Sequence, residues 1–495
     1  MNPILLIDID GLRPDVLQRA LRAGSVPNLA RLFRGSELPR GLWVEAVSSA
    51  PSITFCAQAS LFTGKHPAEH GIPGNQFFDR FGTNNNGVPQ FFAFDVGDTL
   101  EVDDAVQVFT NGLASERLQT PTIYERLAVQ SLDSVVAGNM YAEGANTWLK
   151  PSLLNLARFT RGGSLFGMTS AHYDGQILSQ AVEYLTKNGM PDVFTMYFLG
   201  IDHESHKHGP TQGQMPYLVN HIDPMVGQLW DAVLAAIPDS ARRNLIVVVV
   251  SDHGQIDVIR DDQHSLRIGF PFDREMGDLF TALGLDVHDY PGEVPNCDAV
   301  MALNGGLAFV YLHNQAGHWG DPPHFQRDVL PVARAFWDAH QTGVHASDLH
   351  GALAGVLVRN VDDDGWMAPY YAFTPEGNLV SLEDWFATQP DDQYLDPVHR
   401  IRNFTGLYSG DMILISNYAE GYYFGGENSG VHGGLHPEDS RAVLSLGMPY
   451  APEPYWVRVK AAMAAAVRDR CAAEGGRMAC LTDLRTALNA AISVV

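Results

Sequence analysis

The chain has 495 residues, 45% of them hydrophobic, which is enough for a sizeable core and excludes wholesale disorder. Its 57 acidic residues outweigh 32 basic ones, for a net charge of −25. This argues against a nucleic-acid polymer or an anionic membrane as main partner, but not against a small anionic substrate beside a buried cation.

Residues 3–9, PILLIDI, read as a buried strand ended by Asp-Gly. The N-terminus MNPILLIDIDGLRPD lacks the basic region and long apolar run of a signal peptide, and no stretch approaches the ~20 apolar residues of a membrane span. The expectation is a soluble, cytoplasmic protein. Pro14 suits the first turn of a helix closing before Gly24, residues 27–34 form a second helix, and residues 55–63 a third, ended by Gly64. Residues 74–118, rich in Gly, Asn and Phe, read as a long loop. Residues 193–199 (VFTMYFL) and 245–251 (LIVVVVS) read as buried strands, and 213–237 as helical by period.

Such alternation predicts an α/β fold, a mostly parallel central sheet with helices on both faces. From 270 to 425 the texture changes, with more Pro, Gly, Asp and aromatics, as in an insertion or cap. Residues 411–417 and 441–447 read as core strands again, and 454–470 and 481–494 as closing helices. Four cysteines are too few for a disulfide scaffold, so Cys471 and Cys480 are expected as free thiols.

In open α/β sheets ligands gather beyond the carboxyl ends of the strands. Asp8 and Asp10 end the first strand, Asp202 follows VFTMYFLGI, and Asp252 and His253 follow LIVVVVS. The stretch IDHESHKHGP, residues 201–210, adds His203, His206 and His208, with Asp202 and His206 spaced to meet on one helical turn or in a loop. Carboxylates and imidazoles together suit zinc or a similar divalent ion. Thr54 falls where a loop becomes a helix. An N-cap is one expectation, and a hydroxyl nucleophile beside metal is another that needs the same geometry.

The ordered series IDGLRPD, PSITFCAQASLFTGKHPAEHGIPGN, DHESHKHGP, VVVVSDHGQ and GVHGGLHPED resembles the alkaline phosphatase superfamily, specifically its type I phosphodiesterase/nucleotide pyrophosphatase branch. The resemblance implies one catalytic domain over 1–495, with 270–425 inserted in it, and two divalent cations, most often zinc. It implies that Asp10, Asp252, His253 and Thr54 hold one metal and that Asp202, His206 and His432 hold the other. Thr54 is then the nucleophile and Asn75 the holder of a phosphoryl oxygen. His203 and His208 fall to the rim. His436 is the rival of His432 and Asp8 of Asp10, while His66 and His70 are expected to fix the turn after the nucleophile helix, and His264 to shape the rim. Cys56-Ala57 departs from the Pro-Asn that often follows the Thr-Phe pair in the family.

The implied reaction is hydrolysis of phosphodiester or nucleotide pyrophosphate bonds through a phospho-threonine, with the Phe55 N–H and Asn75 supporting charge on oxygen. Phosphomonoesterase, phosphonate hydrolase and phosphomutase activities are the alternatives within the superfamily. A catalytically silent metal-binding protein is the alternative outside enzymes. A sulfatase does not fit, because Cys56 lacks a following Pro-x-Arg. No Lys/Arg pair is assigned to a monoester's extra charge; Lys150 and Arg158 are the unplaced candidates. Trp366, Tyr370, Tyr371 and Phe373 are candidates to stack on a flat leaving group or, more simply, to build core.

Overall fold

Eight strands form the main sheet: β1 (Ile4–Ile9), β2 (Gly41–Val47), β3 (Ser134–Ala137), β4 (Thr147–Leu149), β5 (Val193–Phe198), β6 (Ile246–Val250), β7 (Arg441–Gly447) and β8 (Ala479–Cys480). Their spatial order is β8-β2-β7-β6-β1-β5-β3-β4. Only β7 runs against its neighbours; the other pairings are parallel. This computed structural model describes residues 2–83, 85–94, 103–152, 154–156, 168–268, 275–294 and 296–494.

The central strands are apolar throughout because both faces are covered. Leu5, Ile7 and Ile9 pack with helices Pro14–Arg22, Ser170–Asn188 and Asp223–Ala236. Ile4 and Leu6 face the other way, towards Thr54–Thr63, Glu453–Glu474 and Asp483–Ser493. The helical region read as 213–237 begins earlier, at Pro210, and passes through a π turn at Leu218–Ile222. The stretch read as a long loop, 74–118, carries a hairpin (Gln76–Asp79 with Gln90–Ala93) and two short helices. Buried Phe77, Phe78, Phe91 and Phe92 hold that hairpin, and Gly82, Asn85, Asn86 and Gly87 mark its turn.

Residues 287–416 build a second, seven-stranded sheet, antiparallel but for one short edge pair. Met412–Ser416, expected as a core strand, is buried at the centre of this second sheet rather than in the main one. Tyr370 and Phe373 are core residues of the strand Tyr370–Phe373, and Trp366 receives the guanidinium of Arg80 over its ring at 4.8 Å. These aromatics are occupied by packing, not presented as a stacking surface. All four cysteines are free. Among the described residues, no helix is long and apolar enough to cross a membrane.

Candidate metal centre and nucleophile

Strands β6, β1 and β5 are adjacent and parallel, with Asp8 level with Val250 and Ile9 level with Phe198. Their carboxyl ends therefore lie side by side, which brings Asp10, the Asp202 helix and Asp252-His253 to one edge. Strand β7 runs the other way, so the chain entering it, which carries His432, arrives at that same edge. Strand β2 leaves there too, with Val47 paired to Arg441, and leads to Thr54.

Two groups of side chains form. In the first, His253 Nε2 lies 3.3 Å from Asp10 Oδ1, 3.4 Å from Asp252 Oδ2 and 3.1 Å from Thr54 Oγ1. In the second, Asp202 lies 3.4 Å from both His206 Nε2 and His432 Nε2, and the two imidazole nitrogens are 3.0 Å apart. The His253 and His432 rings stack at 3.7 Å, so the groups adjoin. IDHESHKHGP lies on a helix, Gly200–His208, which puts Asp202 and His206 one turn apart.

The tautomers follow from backbone contacts. Nδ1–H donates to a carbonyl in all three histidines: Gly254 for His253 (2.9 Å), Gly430 for His206 (2.8 Å) and Ser52 for His432 (3.1 Å). Each therefore points an Nε2 lone pair inward, the arrangement a metal-ligating histidine requires. Two lone pairs at 3.0 Å repel unless a proton or a cation sits between them. Asp10 Oδ1 and Asp252 Oδ2 are buried with no hydrogen-bond donor, a costly state that a cation removes. Burial, then Asp252 and Asp202, push the Asp10 carboxyl well above its usual range. The donor set fits two divalent cations, one per group.

Supporting residues surround the groups. The Tyr197 hydroxyl donates to Asp10 Oδ2, Gly11 N–H donates to Asp252 Oδ1 (3.1 Å), and Gln255 Nε2 donates to Asp202 Oδ1. Ser52 bridges to the histidine loop, donating to the Gly434 carbonyl and accepting from Gly433 N–H. The buried Arg400 guanidinium donates to the carbonyls of Ser48, Ser49 and Gly434 and to Ser440 Oγ, fastening the segment before Thr54 to the loop after His432. Sequence reasoning missed Tyr197, Gln255, Ser52 and Arg400. Only Gln255, three residues past Asp252, carried a signal.

Thr54 is not an N-cap. Ile53 takes that extended position without a side-chain cap, Thr54 is the first helical residue, and its hydroxyl donates to His253 Nε2 instead. The Phe55 N–H is also not free, because it donates to Asn75 Oδ1 at 3.0 Å. It thereby fixes the orientation of the Asn75 amide and is itself removed from the expected oxyanion-supporting set.

The rivals and the rim residues make contacts of their own. His436 Nδ1 accepts from Glu438 N–H, capping the helix Pro437–Ser440. Asp8 is fully buried beside the first group: Asn139 Nδ2 donates to its Oδ2 (3.3 Å), its Oδ1 has no hydrogen-bond partner, and burial and then Asp252 push its carboxyl well above the usual range. His203 Nδ1 lies 2.8 Å from Ser170 Oγ, and His208 faces Glu204, outside the two groups. His70 accepts from Ile72 N–H and donates to Ser60 Oγ, and burial lowers its pKa to about 3, so it fixes the turn as a neutral group. His66 faces Glu474, and His264 faces Asp261 and Tyr422. Cys56 is fully buried and burial pushes its thiol up, so it is no nucleophile. Lys150 donates to the Thr110 carbonyl; Arg158 lies outside the described residues.

Comparison with known proteins gives the family and the fold. A family model described as type I phosphodiesterase/nucleotide pyrophosphatase matches residues 4–372. An uncharacterised pyrophosphatase/phosphodiesterase of Schizosaccharomyces pombe is 25% identical over 256 residues, 51% of this chain and 44% of that protein. The chain thus spans less than half the length of that relative. The structure of mouse ectonucleotide pyrophosphatase/phosphodiesterase 5, an inactive form in complex with AMP, is similar with a TM-score of 0.53 at 14% identity, covering 91% of this chain and 88% of that one. Phosphonoacetate hydrolase of Sinorhizobium meliloti, in complex with phosphonoacetate, has a TM-score of 0.54 at 16% identity, covering 100% and 96%. The chain belongs to the type I phosphodiesterase/nucleotide pyrophosphatase family.

Proposed function

We propose that this protein hydrolyses phosphodiester or nucleotide pyrophosphate bonds, with Thr54 as nucleophile, Asn75 holding a phosphoryl oxygen, and two divalent cations, zinc by donor set, as cofactors. Asp10, Asp252 and His253, with Thr54, would hold one, and Asp202, His206 and His432 the other. The observation that carries this reading is the Thr54 hydroxyl, which lies 3.1 Å from the inward lone pair of His253 at the junction of both groups. A structural metal site does not need a hydroxyl there.

Cations seated in these groups supply positive charge, which lowers the pKa of a nearby hydroxyl and stabilises attacking and leaving oxygens. The chain supplies the rest. Thr54 is held at the start of its helix, facing the lone pairs. Its oxygen attacks phosphorus in line and the alcohol or phosphate leaves; water then attacks the phospho-threonine, and Thr54 leaves with its oxygen. Two inversions give net retention at phosphorus. Asn75, oriented by Phe55, offers its amide donor to an equatorial oxygen. Leu199 and Gly200 N–H groups donate to buried Asp174, which anchors the start of the Asp202–His206 helix.

The test compares bis-p-nitrophenyl phosphate, p-nitrophenyl phosphate and phosphonoacetate, each with and without chelator. The reading expects chelator-sensitive turnover with the diester preferred. Preference for phosphonoacetate would move the assignment to phosphonate hydrolysis. Two bound metals without turnover of any substrate, nucleotides included, would favour the silent metal-binding alternative.

A further inference from the structure

The second sheet reaches the site at one point. Its strands Ala299–Asn304 and Leu307–Leu312 are joined by Gly305-Gly306, with Asn304 paired to Leu307. Asn304 is fully buried. Its Oδ1 accepts from the backbone N–H of both Asn75 (2.8 Å) and Gln76 (3.1 Å), and its Nδ2 donates to the Gln76 carbonyl (3.0 Å). One side-chain amide thus grips the backbone of Asn75 and its neighbour.

The next residues of the turn meet the histidine loop. Gly306 N–H donates to the His432 carbonyl at 3.1 Å. Gly305 has a φ of +67°, and a Cβ there would lie 1.8 Å from the His432 oxygen. Gly433, with a φ of +96°, is as restricted from the other side, since a Cβ would lie 1.9 Å from the Asn304 carbonyl oxygen. Behind the turn, Ser416 N–H of the second sheet donates to the Gly306 carbonyl (3.1 Å) and Phe424 N–H, from the separate strand Tyr423–Phe424, to that of Gly305 (2.7 Å), so the turn is backed on both residues.

We infer that the Asn304-Gly305-Gly306 turn of the second sheet is a positioning element of the active site, with Asn304 a positioning residue that sets Asn75 against phosphate and the two glycines setting His432. The inference rests on the roles proposed above for Asn75 and His432. It assigns the second sheet a task at the reacting centre: one rigid turn fixes the spacing between the phosphoryl-oxygen donor and the last metal ligand.

Asn304→Ala leaves the Asn75 and Gln76 N–H groups without their acceptor, and a misplaced donor is costly to a reaction. Zinc affinity, orthophosphate affinity and kcat/KM are measured on the full chain, with thermal melting as a control for folding. Asn304→Ala is expected to weaken orthophosphate binding and lower kcat/KM by about 10–100-fold, with both zinc affinities within about twofold of wild type. In an Asn75→Ala background the same change is expected to cost less than about twofold, because the two residues act through one donor. Gly305→Ala, which displaces the His432 carbonyl, is expected instead to weaken one zinc by about tenfold or more and spare the other.

Losses from Asn304→Ala and Asn75→Ala that multiply in full would overturn the inference, as would unchanged phosphate affinity in folded Asn304→Ala protein. An inactive wild type whose orthophosphate affinity still responds to Asn304→Ala would sink the hydrolase reading and uphold the positioning role.

Discussion

The two sheets contribute to the site by different chemistry. The main sheet delivers side chains: Asp10, Asp202, Asp252 and His253 stand just beyond the ends of three adjacent parallel strands. The second sheet delivers placement through Asn304, two glycines whose missing Cβ atoms make room, and the helix Pro397–Phe404 that carries Arg400. Donor chemistry restricts residue type strongly, whereas placement leaves almost no compositional trace. The first kind of contribution can be broken by removing an oxygen or nitrogen, and the second by shifting backbone.

The largest effect should come from the main-sheet side. Thr54→Ala is expected to lower kcat by about 10³-fold or more while both metals stay bound, because removing a nucleophile abolishes the covalent route. Turnover and metal content on the same sample check it; unchanged turnover would end the covalent scheme. Asp202→Ala is expected to act in the opposite order, losing one metal of two by direct metal analysis, with activity falling as a consequence.

Breaking the joint between the sheets should cost stability and geometry together. Arg400 is buried, and burial pulls its pKa down to about 10. Arg400→Met removes donors from four carbonyls, those of Ser48, Ser49, Leu395 and Gly434, and leaves buried Asp439 with less opposing charge. Denaturant unfolding should report a loss of about 3 kcal/mol or more. A change below about 0.5 kcal/mol would mean the joint is made elsewhere.

How much of this was legible depends on the physics each residue obeys. Strands buried on both faces read as apolar runs, and acids at their ends stand out against them, so Asp10, Asp202 and Asp252 were visible in the sequence. His206 was separable from His203 and His208 by its spacing from Asp202 and by the resemblance. The helix start at Thr54 was visible, but the choice between capping and facing His253 is made by residue 253, far along the chain. Asn304 sits in LNGGL, which announces a turn and nothing of what that turn touches. Arg400 looks like any surface arginine until the fold buries it.

The effect furthest from the chemistry is a pH dependence behind the metal helix. Burial, opposed by donors from Tyr217, Leu199 and Gly200, raises the Asp174 carboxyl to about 7. An unfolded Asp releases its proton near pH 4, so folding takes up a proton between about pH 4 and 7, and stability falls as pH rises through that window. Asp174→Asn should remove roughly 2–4 kcal/mol of this change across the window, read by urea unfolding at several pH values. An unchanged slope would place the Asp174 pKa near its ordinary value.

The central claim is tested most directly by locating zinc in crystals of the zinc-loaded protein from its anomalous scattering. Two peaks are expected, one ringed by Asp10, Asp252, His253 and Thr54 and the other by Asp202, His206 and His432. A single peak, or peaks away from these residues, would contradict it.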